Sequence, residues 1–200
     1  MRLARFDEVS PSKAQRNVFD CGEPSLNRWL AAQAGQSMAS RDAVTYLLMD
    51  ALPDDDSIAG YYCLASGSIS RDATPAPMAR RAPEPIPAVR MGRFAIDVTA
   101  QGKGWGAELL REALLSSLSG GTLIGARVML VDAISEQARN FYVRFGFTPS
   151  PIHPLQLFYD LRIVEASTGR STPATRGPRP SRRREGAAAD HAQPGGDDPF

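Results

Sequence analysis

Apolar positions in residues 1–164 follow two periods that alternate along the chain. Two-residue alternation or a short unbroken apolar run predicts a strand, and i, i+3, i+4 spacing predicts a helix. Strand-like segments are Leu3 to Phe6, Ala43 to Ala51, Ile58 to Ile69, Val89 to Val98, Ala126 to Val131 and Leu155 to Ile163. Ala126 to Val131 is almost wholly apolar, which suits a strand covered on both faces. One helix starts at Ser25 and puts Leu26, Trp29 and Leu30 on one face. A second runs from Ala107 to Leu118, with Leu109, Leu110, Ala113, Leu114 and Leu118 in helical register. Ser135 suits the cap of a third helix, which carries Phe141, Tyr142 and Phe145 and stops at Gly146.

Turn residues separate these runs. Phe19-Asp20-Cys21-Gly22 reads as a turn, and Pro53 with Asp54-Asp55-Asp56 reads as the tip of a hairpin. Residues 70–87 hold Pro75, Pro77, Pro83, Pro85 and Pro87 and predict no regular element. Gly120-Gly121 predicts the end of the second helix. From Glu165 onward there are five prolines, five glycines and, apart from Phe200, almost no large apolar residue. That composition predicts a disordered Pro/Gly/Arg-rich tail over 165–200, following one domain over 1–164. Arg182-Arg183-Arg184 within it suits either a solvated tail or a weak contact with a polyanion.

Composition narrows the class. Two hundred residues suit one domain and an appendage. No apolar run approaches the roughly 18 residues that span a bilayer. The start, Met1 to Asp7, turns acidic too early for a secretory signal. Cys21 and Cys63 are the only cysteines and form no Cys-x-x-Cys pair, which points to a reducing, cytoplasmic setting. With His153 and His191 the only histidines, a metal site or a Ser/His/Asp triad has little to draw on, and no metal is expected. Residues 1–164 carry 17 basic and 17 acidic groups, so net charge gives no sign of nucleic acid. Locally, Arg71, Arg80, Arg81, Arg90 and Arg93 face only Asp72 and Glu84.

The stretch with the most chemistry is Gln101-Gly102-Lys103-Gly104-Trp105-Gly106. It joins a strand-like run to a helix-like one, so its amides and the free N–H groups of the first helical turn can cradle an anion such as a pyrophosphate. It lacks the Gly-Lys-Ser/Thr ending of a P-loop and the three-glycine spacing of a dinucleotide turn. A ligand-free glycine turn is the other reading of the same residues.

This string resembles the acetyl-coenzyme A loop of the GNAT N-acetyltransferases, and the order of elements is similar to theirs. Four further strings narrow the resemblance. They are Phe19 to Gly22 with Leu26 to Leu30, Gly60 to Ala65, Met91 to Asp97, and Ala138 to Phe147. Pro149, Pro151, Pro154 and Leu157-Phe158 fit as well. On these the chain resembles the acetyltransferase toxins of type II toxin–antitoxin pairs, over roughly residues 3–164. The resemblance implies an α/β (α+β) fold, with a mixed, mostly antiparallel sheet of six or seven strands flanked by about four helices. It implies acetyl transfer from acetyl-coenzyme A to the α-amine of the amino acid on charged tRNA, which blocks translation. It also implies a small DNA-binding antitoxin of ribbon-helix-helix type and a homodimeric toxin. Trp105 departs from the smaller apolar residue usual in the loop, and either crowds the cradle or faces the core.

Residue by residue, the cofactor would be held by Gln101, Gly102, Lys103, Gly104, Trp105 and Gly106, and along the strand edge by Phe94, Ala95, Ile96 and Val98. Tyr142 takes the family's proton-donor role for the departing thiolate; read without the family, it is an aromatic core residue like Phe141. Arg80, Arg81, Arg90 and Arg93 are the candidates for tRNA phosphates, with surface solvation or, for Arg93, an ion pair as the other reading. No residue stands out as a general base, with Asp97 the best-placed carboxylate. A lysine amine of pKa about 10.4 needs such a base more than an α-amine of about 7.7–8.0 does, so an aminoacyl ester suits the site better than a protein lysine. A small-amine or protein N-terminal acetyltransferase, and an inert coenzyme A-binding subunit, are the alternative functions.

Overall fold

The computed structural model of the protein describes residues 1–50 and 57–169. The acidic hairpin tip and the tail beyond Gly169, with Arg182-Arg183-Arg184, lie outside the described residues.

Seven strands form one sheet in the order β1-β2-β3-β4-β5-β7-β6. They are β1 (Arg2–Arg5), β2 (Val44–Met49), β3 (Ile58–Ile69), β4 (Ile86–Ile96), β5 (Val128–Asp132), β6 (Thr148–Pro149) and β7 (Gln156–Asp160). Only β4 and β5 are parallel, and every other neighbouring pair is antiparallel. Four helices of eight residues or more are described: α3 (Pro24–Ala32), α6 (Trp105–Ile124), α7 (Glu136–Arg144) and α8 (Leu161–Thr168). Four shorter ones, α1 (Phe6–Val9), α2 (Lys13–Val18), α4 (Ala34–Ala39) and α5 (Ala76–Ala79), were not foreseen.

Local chemistry explains the main elements. Pro24 fits the first turn of α3, where a missing N–H costs nothing, and the Glu23 carboxylate accepts from Ser25 N–H at 3.1 Å. Leu26, Trp29 and Leu30 are buried beneath it beside Leu47, Tyr61 and Ala95. Ser135 caps α7 by accepting from Ala138 N–H at 3.1 Å. The other face of the sheet buries Tyr62, Met91 and Met129 under Leu109, Leu110 and Ala113 of α6.

Several boundaries differ from the sequence reading: Phe6 begins α1, β4 stops at Ile96 short of Val98, and three more have a clear local cause. First, α6 continues through Gly120-Gly121 and ends at Gly125, whose φ of +73° is left-handed. A Cβ on Gly121 would stand 2.4 Å from the Ala126 carbonyl oxygen, so this glycine permits a close approach and does not break the helix. Second, the last strand stops at Asp160, whose carboxylate accepts from Arg162 N–H at 3.1 Å and starts α8. Leu161 and Val164 bury at helical spacing, and the helix crosses position 164. Third, β4 starts at Ile86, inside the proline-rich stretch, and Pro87 sits opposite Ser68 within the strand.

Candidate active site

Strand β4 has two kinds of edge. From Ala88 to Met91 it pairs with β3 on one side and with β5 on the other. Beyond Met91 the β5 pairing ends, while the β3 pairing continues to Ile96. At the division, Cys63 faces Arg93 and Leu64 faces Met91, so Gly92 is left without a partner as a β-bulge. The splay leaves backbone groups of residues 92–96 facing a cleft of about 1130 Å³.

The cleft reaches both faces of the sheet. Phe94 and Ile96 pack toward α6 and α7. Ala95 packs toward α3, and the Arg93 guanidinium lies 5.7 Å from the ring centre of Trp29 on that same helix. At the α6 end the lining includes Gly102, Gly104 and Gly106, and at the α3 end Cys21, Gly22 and Glu23.

Geometry suited to an anion is present at the loop before α6. Gly102 and Gly104 have φ of +72° and +86°, and a Cβ on either would meet nothing within 4 Å. Glycine is therefore required by backbone conformation, and the loop is open on its outer side. The amides of residues 102–106 donate to no other backbone group among the described residues. Helix α6, 20 residues long, has no side-chain cap, so the N–H groups of its first turn face the cleft, with Glu108 of that turn paired to Arg111.

Tyr142 lines the cleft from α7 with only 6% exposure. Its ring is edge-on to Phe94 at 6.2 Å and to Phe141 at 5.3 Å. The hydroxyl has no hydrogen-bond partner in the protein among the described residues and is not fully sealed from solvent. It therefore opens to the cleft. Burial pushes its ionisation well above the usual phenol range.

The carboxylates near the cleft are committed. Asp97 accepts from Asp20 N–H at 2.9 Å with one oxygen, and from the Thr99 amide and hydroxyl with the other. It is an anchor for the loop and not a base. Glu23 caps α3, and the Ser25 amide holds its carboxyl below the usual range. Asp132 pairs with Arg90 and accepts from Gln156 Nε2 at 3.0 Å. Among the described residues no group of three or more His, Cys, Asp or Glu side chains is placed to hold a metal, and no helix is long and apolar enough to cross a membrane.

Of the residues singled out from sequence, Phe94, Ala95, Ile96, Gln101, Gly102, Gly104, Gly106, Arg90, Arg93 and Tyr142 all line this cleft. Lys103 is exposed and does not line it. Trp105 packs partly buried against the α6-side core, which leaves the cradle clear. Val98 is 49% exposed, outside the lining, and donates its N–H to Asp20 O at 2.8 Å. Arg80 and Arg81 lie exposed between α5 and β4, away from the cleft. Arg144, at the last turn of α7, also lines the cleft and was not foreseen. Basic charge in a helix's final turn is common for dipole reasons, so its sequence signal was weak.

Residues 53–149 match the acetyltransferase (GNAT) domain family. A tRNA-acetylating toxin of Mycobacterium tuberculosis is 34% identical to the chain over 168 residues, covering 84% of this chain and 95% of its own length. The chain belongs to the GNAT acetyltransferases. Among solved structures, AtaT complexed with acetyl-methionyl-tRNAfMet is 29% identical, with a TM-score of 0.74 over 84% of this chain and 98% of its own. A tyrosine-to-phenylalanine mutant of AtaT, bound to acetyl-CoA and the C-terminus of the antitoxin AtaR, is 27% identical. It has a TM-score of 0.68 over 84% of this chain and 97% of its own.

Proposed function

We propose that this enzyme transfers acetyl from acetyl-coenzyme A to the α-amine of the amino acid on charged tRNA, and so blocks translation as the toxin of a toxin–antitoxin pair. The observation that carries the reading is the splay of β4 from β5. It joins an open, uncapped helix N-terminus on one face to an arginine-bearing wall on the other, with the Tyr142 hydroxyl on its lining. The likeness to a tRNA-acetylating toxin and to AtaT with acetylated methionyl-tRNA supports the choice of acceptor.

The residues present fit acetyl-coenzyme A. Free amides of 102–106 and the α6 N-terminus would hold its pyrophosphate, and the edge of residues 93–95, left without a β5 partner, would hold its amide-bearing arm. When bound, acetyl-coenzyme A supplies an activated acetyl thioester. Edge N–H groups facing the cleft polarise a carbonyl placed against them. Tyr142 is held protonated by burial, so it serves as a donor to developing negative charge on sulfur and not as a base. With every nearby carboxylate engaged, the site suits an amine that is already largely neutral. An aminoacyl ester provides one, since an α-amine titrates near ~7.7–8.0 and its ester lower still. Arg93 and Arg144 make no ion pair among the described residues and are available to phosphates, whereas Arg90 is neutralised by Asp132.

The catalytic domain in this reading spans 1–164, with α8 continuing to Thr168. Its further partners are a ribbon-helix-helix antitoxin and a second copy of the chain, and its setting is the cytoplasm, where charged tRNA is found. The test uses the full chain, labelled acetyl-coenzyme A and total tRNA, charged or uncharged. Label on charged tRNA only, released by mild alkali as an acetyl-amino acid, supports the reading. Acetyl-coenzyme A binding with no label on tRNA would replace it with a small-amine or protein acetyltransferase.

A further inference from the structure

The α3-side wall of the cleft, Cys21 to Glu23 with Asp20 adjoining it, has no regular secondary structure, yet its backbone is fixed on two flanks. On the α3 side, Asn27 Oδ1 accepts from Cys21 N–H at 3.0 Å, and Asn27 Nδ2 donates to Asp20 Oδ1 at 2.7 Å. On the β4 side, Asp20 N–H reaches Asp97 at 2.9 Å, and Val98 N–H reaches the Asp20 carbonyl at 2.8 Å. Gln101 completes this flank. Its Nε2 donates to the Cys21 carbonyl at 3.1 Å and to the Ile96 carbonyl at 2.9 Å. One carboxamide thus ties the wall to the open edge of β4.

Gln101 opens the glycine motif, but little of it is left for an anion. Its backbone N–H donates to the Asp97 carbonyl at 3.0 Å, and its carboxamide donors are both used inside the protein. We infer that Gln101 and Asn27 are positioning residues: they hold the 20–23 wall against which the acceptor amine is aligned, and Gln101 does not hold the coenzyme. The inference rests on the acceptor reading proposed above: with the coenzyme at the α6 N-terminus and Arg93 beside Trp29 offered to tRNA phosphates, the amine is brought in along the α3 side of the cleft. The bonds are exposed or half-buried, so water replaces them when they are lost and the fold survives. Alignment is what suffers, and a misplacement of about 1 Å can cost about 100-fold in rate.

Two variants of the full chain test this from opposite flanks. Gln101→Met keeps the length without the donors, and Asn27→Ala removes the α3 side. For both, kcat/KM toward charged tRNA should fall about tenfold or more while the calorimetric acetyl-coenzyme A Kd stays within about twofold. Amide exchange at residues 20–22 should quicken about tenfold, with α6 and the melting temperature unchanged. A tenfold weaker acetyl-coenzyme A Kd with unaltered exchange at 20–22 would overturn the inference and return Gln101 to the coenzyme. If the unaltered enzyme fails to label charged tRNA, the acceptor reading falls; exchange and calorimetry still decide what Gln101 holds.

Discussion

The two halves of β4 share a strand and differ in almost everything else. Residues 88–91 are hydrogen-bonded on both edges, and Ala88 and Met91 are sealed in the core. Residues 92–96 keep one partner strand, start at an unpaired glycine and continue the cleft lining that begins at Arg90 and Met91. The first half consumes its backbone groups in the fold, and the second leaves part of its outer edge open, the Gly92 and Ile96 carbonyls being taken by the Arg93 and Gln101 side chains. A single bulge at Gly92, together with the early end of β5 pairing, separates stability from chemistry within a few residues. Substitutions in the two halves should therefore fail in different ways.

The largest effect is expected in the sealed half. Ala88→Asp buries a carboxylate without a partner and should cost about 4 kcal/mol of stability, read by urea denaturation, with activity lost only through unfolding. In the open half the pattern reverses. Tyr142→Phe removes a hydroxyl that bonds nothing in the protein among the described residues, so stability should hold within about 0.5 kcal/mol while kcat drops about 100-fold or more in acetyl transfer to charged tRNA. Gly104→Ala forces a side chain into a left-handed conformation, so it should destabilise by about 1 kcal/mol and weaken acetyl-coenzyme A about tenfold by calorimetry. The smallest change is expected for Arg93→Gln. It should raise KM for charged tRNA a few-fold and flatten its log–log salt dependence by about 0.7–0.9, the slope of one lost phosphate contact.

The same contrast explains what the sequence made legible. Strand β3 was readable to both ends because its apolar run is bounded by turn signals, and α7 was readable because Ser135 is a true cap. The glycine loop was readable because its composition reflects a backbone demand, φ near +80° with open space outside. Gly120-Gly121 carries the same letters for a different reason: Gly121 lies against a carbonyl, and only tertiary contact tells a breaker from a close approach. The apolar string after Leu155 was ambiguous between strand and helix until the Asp160 cap divided it. In the site, Tyr142, the β4 edge and the glycines emerged from their motifs. The place of the 20–23 segment in the site, read from sequence only as a turn and a family string, did not, nor did Arg144 or the Arg90–Asp132 pair, because each depends on which strands separate and where. Arg80 and Arg81 share the basic composition of Arg90 and Arg93 but lie off the cleft, since composition does not record distance along a strand.

The central claim is that the open half of β4 carries acetyl transfer to a self-deprotonating amine, with a buried phenol as the donor. The pH dependence of single-turnover transfer to charged tRNA, measured between pH 6 and 9 on a timescale shorter than ester hydrolysis, addresses it most directly. The rate should rise with an apparent pKa at or below about 7.7, the amine's own, and then stay level, because burial keeps Tyr142 protonated beyond this range. A rate that falls again below pH 9 would contradict the donor assignment. A rate already level at pH 6 would point instead to a carboxylate base that the cleft does not offer.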